Sequence, residues 1–239
     1  MQSEFLSIEV VFKRFGGIQA LRGISLKVSR GEIIGLIGPN GSGKTTLINI
    51  ITGIYRPDNG RILFLGEDLT RLPQHEICRR GIARTFQIPR LFVGMSVKEN
   101  MLIASEFCKG TSDEDMVNDV LKKLGLWDKR DEDPEKLTLI EKRLLELGRA
   151  IASSPKLLLV DEVAAGLRTG EIKKIGSMLQ ELNSNGITVV WVEHNVRELI
   201  RYVRRLVVLN NGQVIADGDP ETVISNPLVV ESYLGKINP

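Results

Sequence analysis

The sequence predicts an α/β fold in which a parallel core sheet carries an antiparallel flap and an inserted helical block. Three observations predict it. Short apolar runs bounded by glycine alternate like strands at both ends of the chain. One Gly-rich turn, Gly38–Thr45, joins a strand to a buried helix. From about residue 89 to 154 the spacing becomes helical, and the α/β alternation then returns.

In chain order, Ile8–Phe12, Ile24–Val28 and Glu32–Ile37 read as strands, punctuated by Gly16-Gly17, Gly23 and Gly31. Thr45–Ile54 reads as a buried helix, and Asn59-Gly60 turns into a strand over Arg61–Leu65. In the middle block, Ser96–Glu99 and Thr138–Glu141 both fit the S/T-x-x-E capping box that opens a helix. Asp128–Lys136 is a charged connector. After Pro155 follow a strand (Leu157–Val160), a helix (Glu171–Leu182), and strands over Ile187–Val192, Leu206–Leu209 and Val214–Ala216, with a helical tail from Pro220 to Leu234. The expected organisation is one domain over 1–239, its catalytic α/β lobe built from 1–88 and 155–239 and its helical lobe from about 89–154.

Composition narrows the class. At 239 residues, 42% hydrophobic and 26% charged with 23 Gly and 9 Pro, the chain is an ordinary globular sequence, neither disordered nor fibrous. Its net charge of +2 is small for a dedicated nucleic-acid binder. No apolar run approaches the ~18 residues of a membrane span, and the N-terminus lacks the pattern of a signal peptide. Cys78 and Cys108, with no C-x-x-C, read as two separate thiols in a reducing cytosol. His75, on a polar stretch, reads as a surface residue, and Arg201, Arg204 and Arg205 as a solvated, ion-paired face.

The chemistry concentrates in two motifs. Gly38-Pro39-Asn40-Gly41-Ser42-Gly43-Lys44-Thr45, with Thr46 following, fits G-x-x-x-x-G-K-[ST] between a strand and a helix. Its glycines let backbone N–H groups converge on an anion at a helix N-terminus. Lys44 would reach the β- and γ-phosphates and Thr45 would ligate Mg²⁺. This is the phosphate loop of a P-loop NTPase, with a RecA-like core. Leu157–Val160 then delivers Asp161 and Glu162 to the carboxyl edge of the sheet, where open α/β sheets bind ligands. Asp161 is expected to hold Mg²⁺, and Glu162 to polarise the attacking water.

Three further positions separate this chain from other nucleotide enzymes: Phe15 before the first Gly turn, Gln87 in Arg84-Thr-Phe-Gln87, and His194 ending Val190-Trp-Val-Glu-His194. Together the motifs resemble the ATP-binding subunits of ABC transporters over essentially the whole chain. The resemblance implies that Phe15 stacks on adenine, that Gln87 senses Mg²⁺ and the attacking water and couples to the membrane partner, and that His194 contacts the γ-phosphate. Gly81–Gln87, Ser96–Asn100, Ala164–Leu167 and the tail Asp219-Pro-Glu, Asn226-Pro and Tyr233-Leu-Gly235 look like the branched-chain amino-acid uptake group. That implies an ATP-hydrolysing importer subunit for branched-chain amino acids or related small polar solutes. It would be peripheral on the cytoplasmic face and would dimerise with itself or a homologous ATPase. It would act on permease subunits, with a solute-binding protein as an indirect partner and no nucleic acid.

One motif departs from the family. Where the family has L-S-G-G-Q, this chain has Leu137-Thr138-Leu139-Ile140-Glu141. Thr138 keeps a hydroxyl toward a partner's phosphate. Leu139 and Ile140 would cost ~1–2 kcal/mol each wherever a positive φ is needed, and Glu141 adds repulsion of about 2 kcal/mol. Val163 replaces a usual Pro, and Arg168 a usual Asp or Asn, where its charge would offset Glu141. Besides the transport motor, two readings stay open: a catalytically weak nucleotide-binding regulatory subunit that needs a partner ATPase, and a soluble ABC ATPase acting on DNA or ribosomes.

Overall fold

The computed structural model describes residues 5–163 and 166–234. The chain opens with a hairpin of β1 (Leu6–Phe15) and β2 (Ile18–Val28), enters β3 (Ile33–Ile37) and turns through the Gly-rich loop into α1 (Lys44–Ile51). β4 (Asn59–Phe64) and β5 (Glu67–Asp68) follow, then α2 (Gln74–Arg79) and β6 (Ile82–Arg84). The middle block holds α3 (Val97–Lys109), α4 (Glu114–Leu124) and α5 (Leu139–Ala152). The return leg runs β7 (Leu157–Asp161), α6 (Thr169–Ser184), β8 (Thr188–Val192), α7 (Val196–Leu199), β9 (Arg205–Asn210), β10 (Gln213–Gly218), α8 (Pro220–Ile224) and α9 (Pro227–Leu234).

A six-stranded sheet is ordered β10-β9-β3-β8-β7-β6, parallel except for β10 at its edge. A separate antiparallel sheet, β2-β1-β4-β5, lies against it. The parallel strands are buried on both faces, which explains their continuous Leu/Ile/Val composition. Side chains alternate between two cores. Leu158, Val160, Val189 and Trp191 join the core of the middle helices, while Leu157, Leu159, Val190 and Val192 join the core of α1 and the antiparallel sheet.

Both capping boxes form. Ser96 caps α3 and Thr138 caps α5, each with its glutamate three residues on reaching back to the cap N–H. Elsewhere the element ends move for local reasons. α1 stops at Ile51, where the Thr52 hydroxyl donates to Ile48 O and Gly53 takes φ +73°. β1 and β2 outrun their expected lengths across a bulge at Val10 (φ +47°), whose N–H donates to Ser25 Oγ. The bulge breaks the period-two pattern that marks a strand. The helical tail divides in two at Asn226-Pro227, Asn226 Oδ1 accepting from the Leu228 N–H. His75 is exposed, and Arg205 forks onto Asp217 and Glu32.

The cysteine expectation is corrected. Cys78 and Cys108, 30 positions apart, are joined as a disulfide with a Cα–Cα separation of 6.0 Å, because the fold brings the end of α2 against the end of α3. Sequence spacing alone carries no information about such a meeting. Ala164, Ala165 and Gly235, part of the family resemblance, lie outside the described residues. No helix among the described residues is long and apolar enough to cross a membrane.

Leu121, fully buried in the core of the middle helices, tests how far that block rests on packing. Leu121→Ala removes a methylene cluster that the surroundings cannot replace and should cost about 2–5 kcal/mol in urea unfolding.

Candidate functional site

The parallel topology sends β3, β8 and β7, neighbours in that order, to the same edge. What leaves their carboxyl ends lines one cleft of about 510 Å³. β3 delivers the loop residues Asn40–Thr46, β7 delivers Glu162, and β8 delivers His194. Gln87 enters from the segment after β6.

The Gly-rich loop is built as its glycines require. Gly38 has φ +152°, and a Cβ there would lie 2.1 Å from the Leu209 carbonyl oxygen. Gly43, the cap of α1, has φ +107° with Ala20 O and Leu21 closing on it. The loop is braced from outside: the Gly212 N–H donates to Ser42 O at 3.0 Å and the Arg22 N–H to Gly212 O at 2.8 Å. Lys44 is buried, and its Nζ donates to Gly38 O (2.7 Å) and Pro39 O (3.2 Å). Burial pulls its pKa below the ordinary value, against the opposing pull of Glu162 and Asp161.

Glu162 is nearly buried yet held between two partners. His194 Nε2 lies 2.6 Å from Oε1, and Gln87 Nε2 donates to Oε2 at 2.5 Å. Its backbone takes φ +50° while its N–H donates to Val192 O at 3.0 Å. A left-handed non-glycine costs of order 1–3 kcal/mol and persists only where the surroundings over-determine it. Here that strain turns the carboxylate out of the strand and over the cleft.

Asp161 points the other way. Its Oδ2 is 3.2 Å from Arg84 Nη2, in an ion pair whose side chains are 2% and 8% exposed. Its N–H donates to the Thr85 hydroxyl at 2.9 Å. Burial raises its pKa, Glu162 adds to the rise, and Arg84 and Lys44 oppose it. Burial lowers that of Arg84 in turn. Asp161 Oδ1 is buried without a hydrogen-bond partner. An orphaned carboxylate oxygen beside the phosphate loop suits a hard divalent cation or its water. With Thr45 exposed on α1 and lining the cleft, the residues present fit Mg²⁺.

Lys44, Thr45, Gln87, Glu162 and His194 thus come together on one cleft. Phe15 does not line it: it ends β1, edge-on to Tyr55 at 5.0 Å, while Ile18 and Gln19 across the hairpin reach the cleft. Thr138 is elsewhere, on the cap of α5 in the middle block. Three contributors were missed. Arg84 gave no sign beyond its place beside Gln87. Arg22 and Asn211 line the cleft, and only the Asn211-Gly212 pair, left-handed in the fold at φ +46° and +76°, offered a signal.

The model of the family described as "ABC transporter" matches residues 21–165, and that described as "Branched-chain amino acid ATP-binding cassette transporter" matches 213–236. The chain is 35% identical to the high-affinity branched-chain amino acid transport ATP-binding protein LivG of Escherichia coli (strain K12), covering 99% of this chain and 100% of that one. It is 38% identical to a probable LivG of Methanocaldococcus jannaschii, covering 98% of both. Among solved structures it resembles a nucleotide-free ATP-binding cassette from an ABC transporter (TM-score 0.87, 36% identity, 98% of this chain and 100% of that one). It also resembles a dimeric cassette in a post-hydrolysis state bound to ADP and Pi (TM-score 0.83, 26% identity, 90% and 98%).

Substitutions at two positions test the geometry. Arg84→Met strips Asp161 of a buried counter-charge and should cost about 3–5 kcal/mol in urea unfolding, with Arg84→Lys milder. Gly38→Ala forces the loop off Leu209 and should weaken ATP binding by about 1–3 kcal/mol in a fluorescent-nucleotide titration.

Proposed function

The chain belongs to the ABC transporter ATP-binding family, and on that premise we propose that it is the ATP-hydrolysing motor subunit of an importer for branched-chain amino acids or related small polar solutes. It binds ATP and works as a dimer, with itself or a homologous ATPase, on membrane permease subunits, peripherally on the cytoplasmic face. A solute-binding protein is an indirect partner. The observation that carries the reading is Glu162 clasped between Gln87 and His194 at the mouth of the phosphate loop.

The roles follow from that geometry. Loop N–H groups from Gly41 to Thr46 receive the phosphate oxygens. Lys44, released from the Gly38 and Pro39 carbonyls, pairs with the β- and γ-phosphates. Thr45, Asp161 and Gln87 would hold Mg²⁺, which would supply neutralising charge to the phosphates. Glu162 accepts a proton from the attacking water, Gln87 orients that water, and His194 contacts the γ-phosphate. Phe15 closes on the adenine from the hairpin rim.

The middle helices form a helical lobe that presents Thr138 to the nucleotide of the partner subunit. Two features support a working signature in Leu137–Glu141. The α5 N-terminus keeps its backbone N–H groups. Glu141 is already neutralised within the chain by Lys129 at 2.8 Å and by the Thr138 N–H at 2.9 Å. Arg168 meets Glu171 through its backbone N–H, which donates to Oε2 at 2.8 Å, so the cap of α6 leaves its guanidinium charge unspent.

The segment on either side of Gln87 lines an apolar groove of about 560 Å³ through Phe86, Arg90 and Phe92, together with Ile77, Ile103 and Phe107. That continuity makes the groove the seat for the permease, and couples its position to Gln87.

Glu162→Gln should slow MgATP turnover by about 10²–10⁴-fold while ATP binding persists, and should yield an ATP-dependent dimer in light scattering. Unchanged turnover would sink the assigned base. A monomer that binds ATP would favour the partner-dependent regulatory subunit.

A further inference from the structure

The Cys78–Cys108 bond lies in the wall of the apolar groove, and both residues line it, half-buried. The two sides of the groove belong to different parts of the fold. α2 packs through Ile77 into the core beneath the sheet, with α1 and the antiparallel strands. α3 packs through Val97 and Met101 into the opposite core, with α4 and α5.

The facing wall is tied to the middle helices. Glu146 Oε2 accepts from the Arg90 N–H at 3.2 Å, Asn100 Oδ1 accepts from the Phe92 N–H at 2.8 Å, and Arg149 donates to the Arg90 carbonyl. That wall therefore travels with α3 and α5. A displacement of the middle helices against the core changes the groove where the two meet, at α5 against β6 and at α2 against α3. At the second of these the Arg79 guanidinium stands 5.5 Å from the Phe107 ring centroid, an adjustable contact at a half-exposed site. The disulfide adds a fixed link beside it.

We propose that Cys78 and Cys108 form a reversible oxidation site that sets whether this groove can adjust to its occupant. Oxidised, the pair fixes α2 to α3 and uncouples ATP hydrolysis from the permease. Reduced, it lets the groove adjust. The oxidant is a low-molecular-weight disulfide, RSSR. The thiolate of one cysteine attacks a sulfur of RSSR and releases one thiolate RS⁻. The second cysteine, as thiolate, attacks the mixed disulfide and releases the other. Two electrons pass from the cysteine pair to RSSR, and the two cysteine protons leave with the two RSH formed. Both cysteines open onto the groove, so a small thiol reaches them without unfolding. The nucleotide cleft shares no lining residue with the groove, so ATP binding is spared.

The functional half of the proposal rests on the groove being the permease seat, and the experiment separates the two. The full chain is held in oxidised glutathione or in dithiothreitol, and its thiols are counted after denaturation: none are expected in the first and both in the second. Hydrogen exchange over α2 and α3 should be about fivefold or more slower in the oxidised protein, with fluorescent-ATP affinity unchanged. Two free thiols in the oxidant, or equal exchange rates, would overturn the site. In the assembled complex, permease-dependent MgATP turnover should fall about fivefold or more on oxidation and recover on reduction. The Cys78→Ser, Cys108→Ser double variant should ignore both reagents. Wild type and double variant responding alike would overturn the coupling. Absence of MgATP turnover in both redox states, with thiol count and exchange still switching, would overturn the functional reading above and leave the oxidation site standing.

Discussion

Everything at the nucleotide cleft depends on strand register in the parallel sheet. β3, β8 and β7 are adjacent, and Val192 of β8 stands opposite both Leu36 and Asp161. Neighbouring strands are about 4.8 Å apart, so groups leaving three such strands fall within reach of one phosphate chain. A slip of one residue in β7 would exchange the faces of consecutive side chains. Asp161 would leave Arg84, and Glu162 would leave His194 and Gln87. The doubly buried Leu and Val side chains of these strands are therefore what aligns the polar ones.

The second dependence is electrostatic and links cleft to groove. Arg84 lines the groove, stacks on Phe86 at 4.4 Å, and reaches Asp161, Asn49 and Thr52 on its other side. Burial works against the charge on both Arg84 and Asp161, and each opposes that effect on the other. Arg90 stacks on the same Phe86 ring at 4.7 Å, and its backbone is held by the buried Glu146. A cation–aromatic stack thus runs from Asp161, the neighbour of the cleft's Glu162, to the wall of the groove.

Much of this was legible in the sequence, because the signals are local. Gly38–Thr45 between strand and helix, four apolar residues before Asp161-Glu162, and two capping boxes each encode their structure within a few residues. Long-range facts were not encoded in this way. The Cys78–Cys108 meeting, the Arg84–Asp161 pair across 77 positions, and the packing of Asn211-Gly212 on the phosphate loop arise only when distant segments converge. Phe15 was read as stacking on adenine; its ring stands edge-on to Tyr55, outside the residues that line the cleft.

The altered signature has a consequence for how two subunits would meet. Glycine-rich turns are conformationally broad before contact and must be ordered by it. Here Thr138 and Glu141 close a capping box, Lys129 fastens Glu141, and Leu139 begins a regular helix. On the proposed reading, in which Thr138 faces a second subunit, that surface is shaped before the encounter. Association then forfeits less backbone entropy. The exchange is adaptability for pre-organisation: a rigid epitope that discriminates sharply among partners, where the glycine version would mould itself to many.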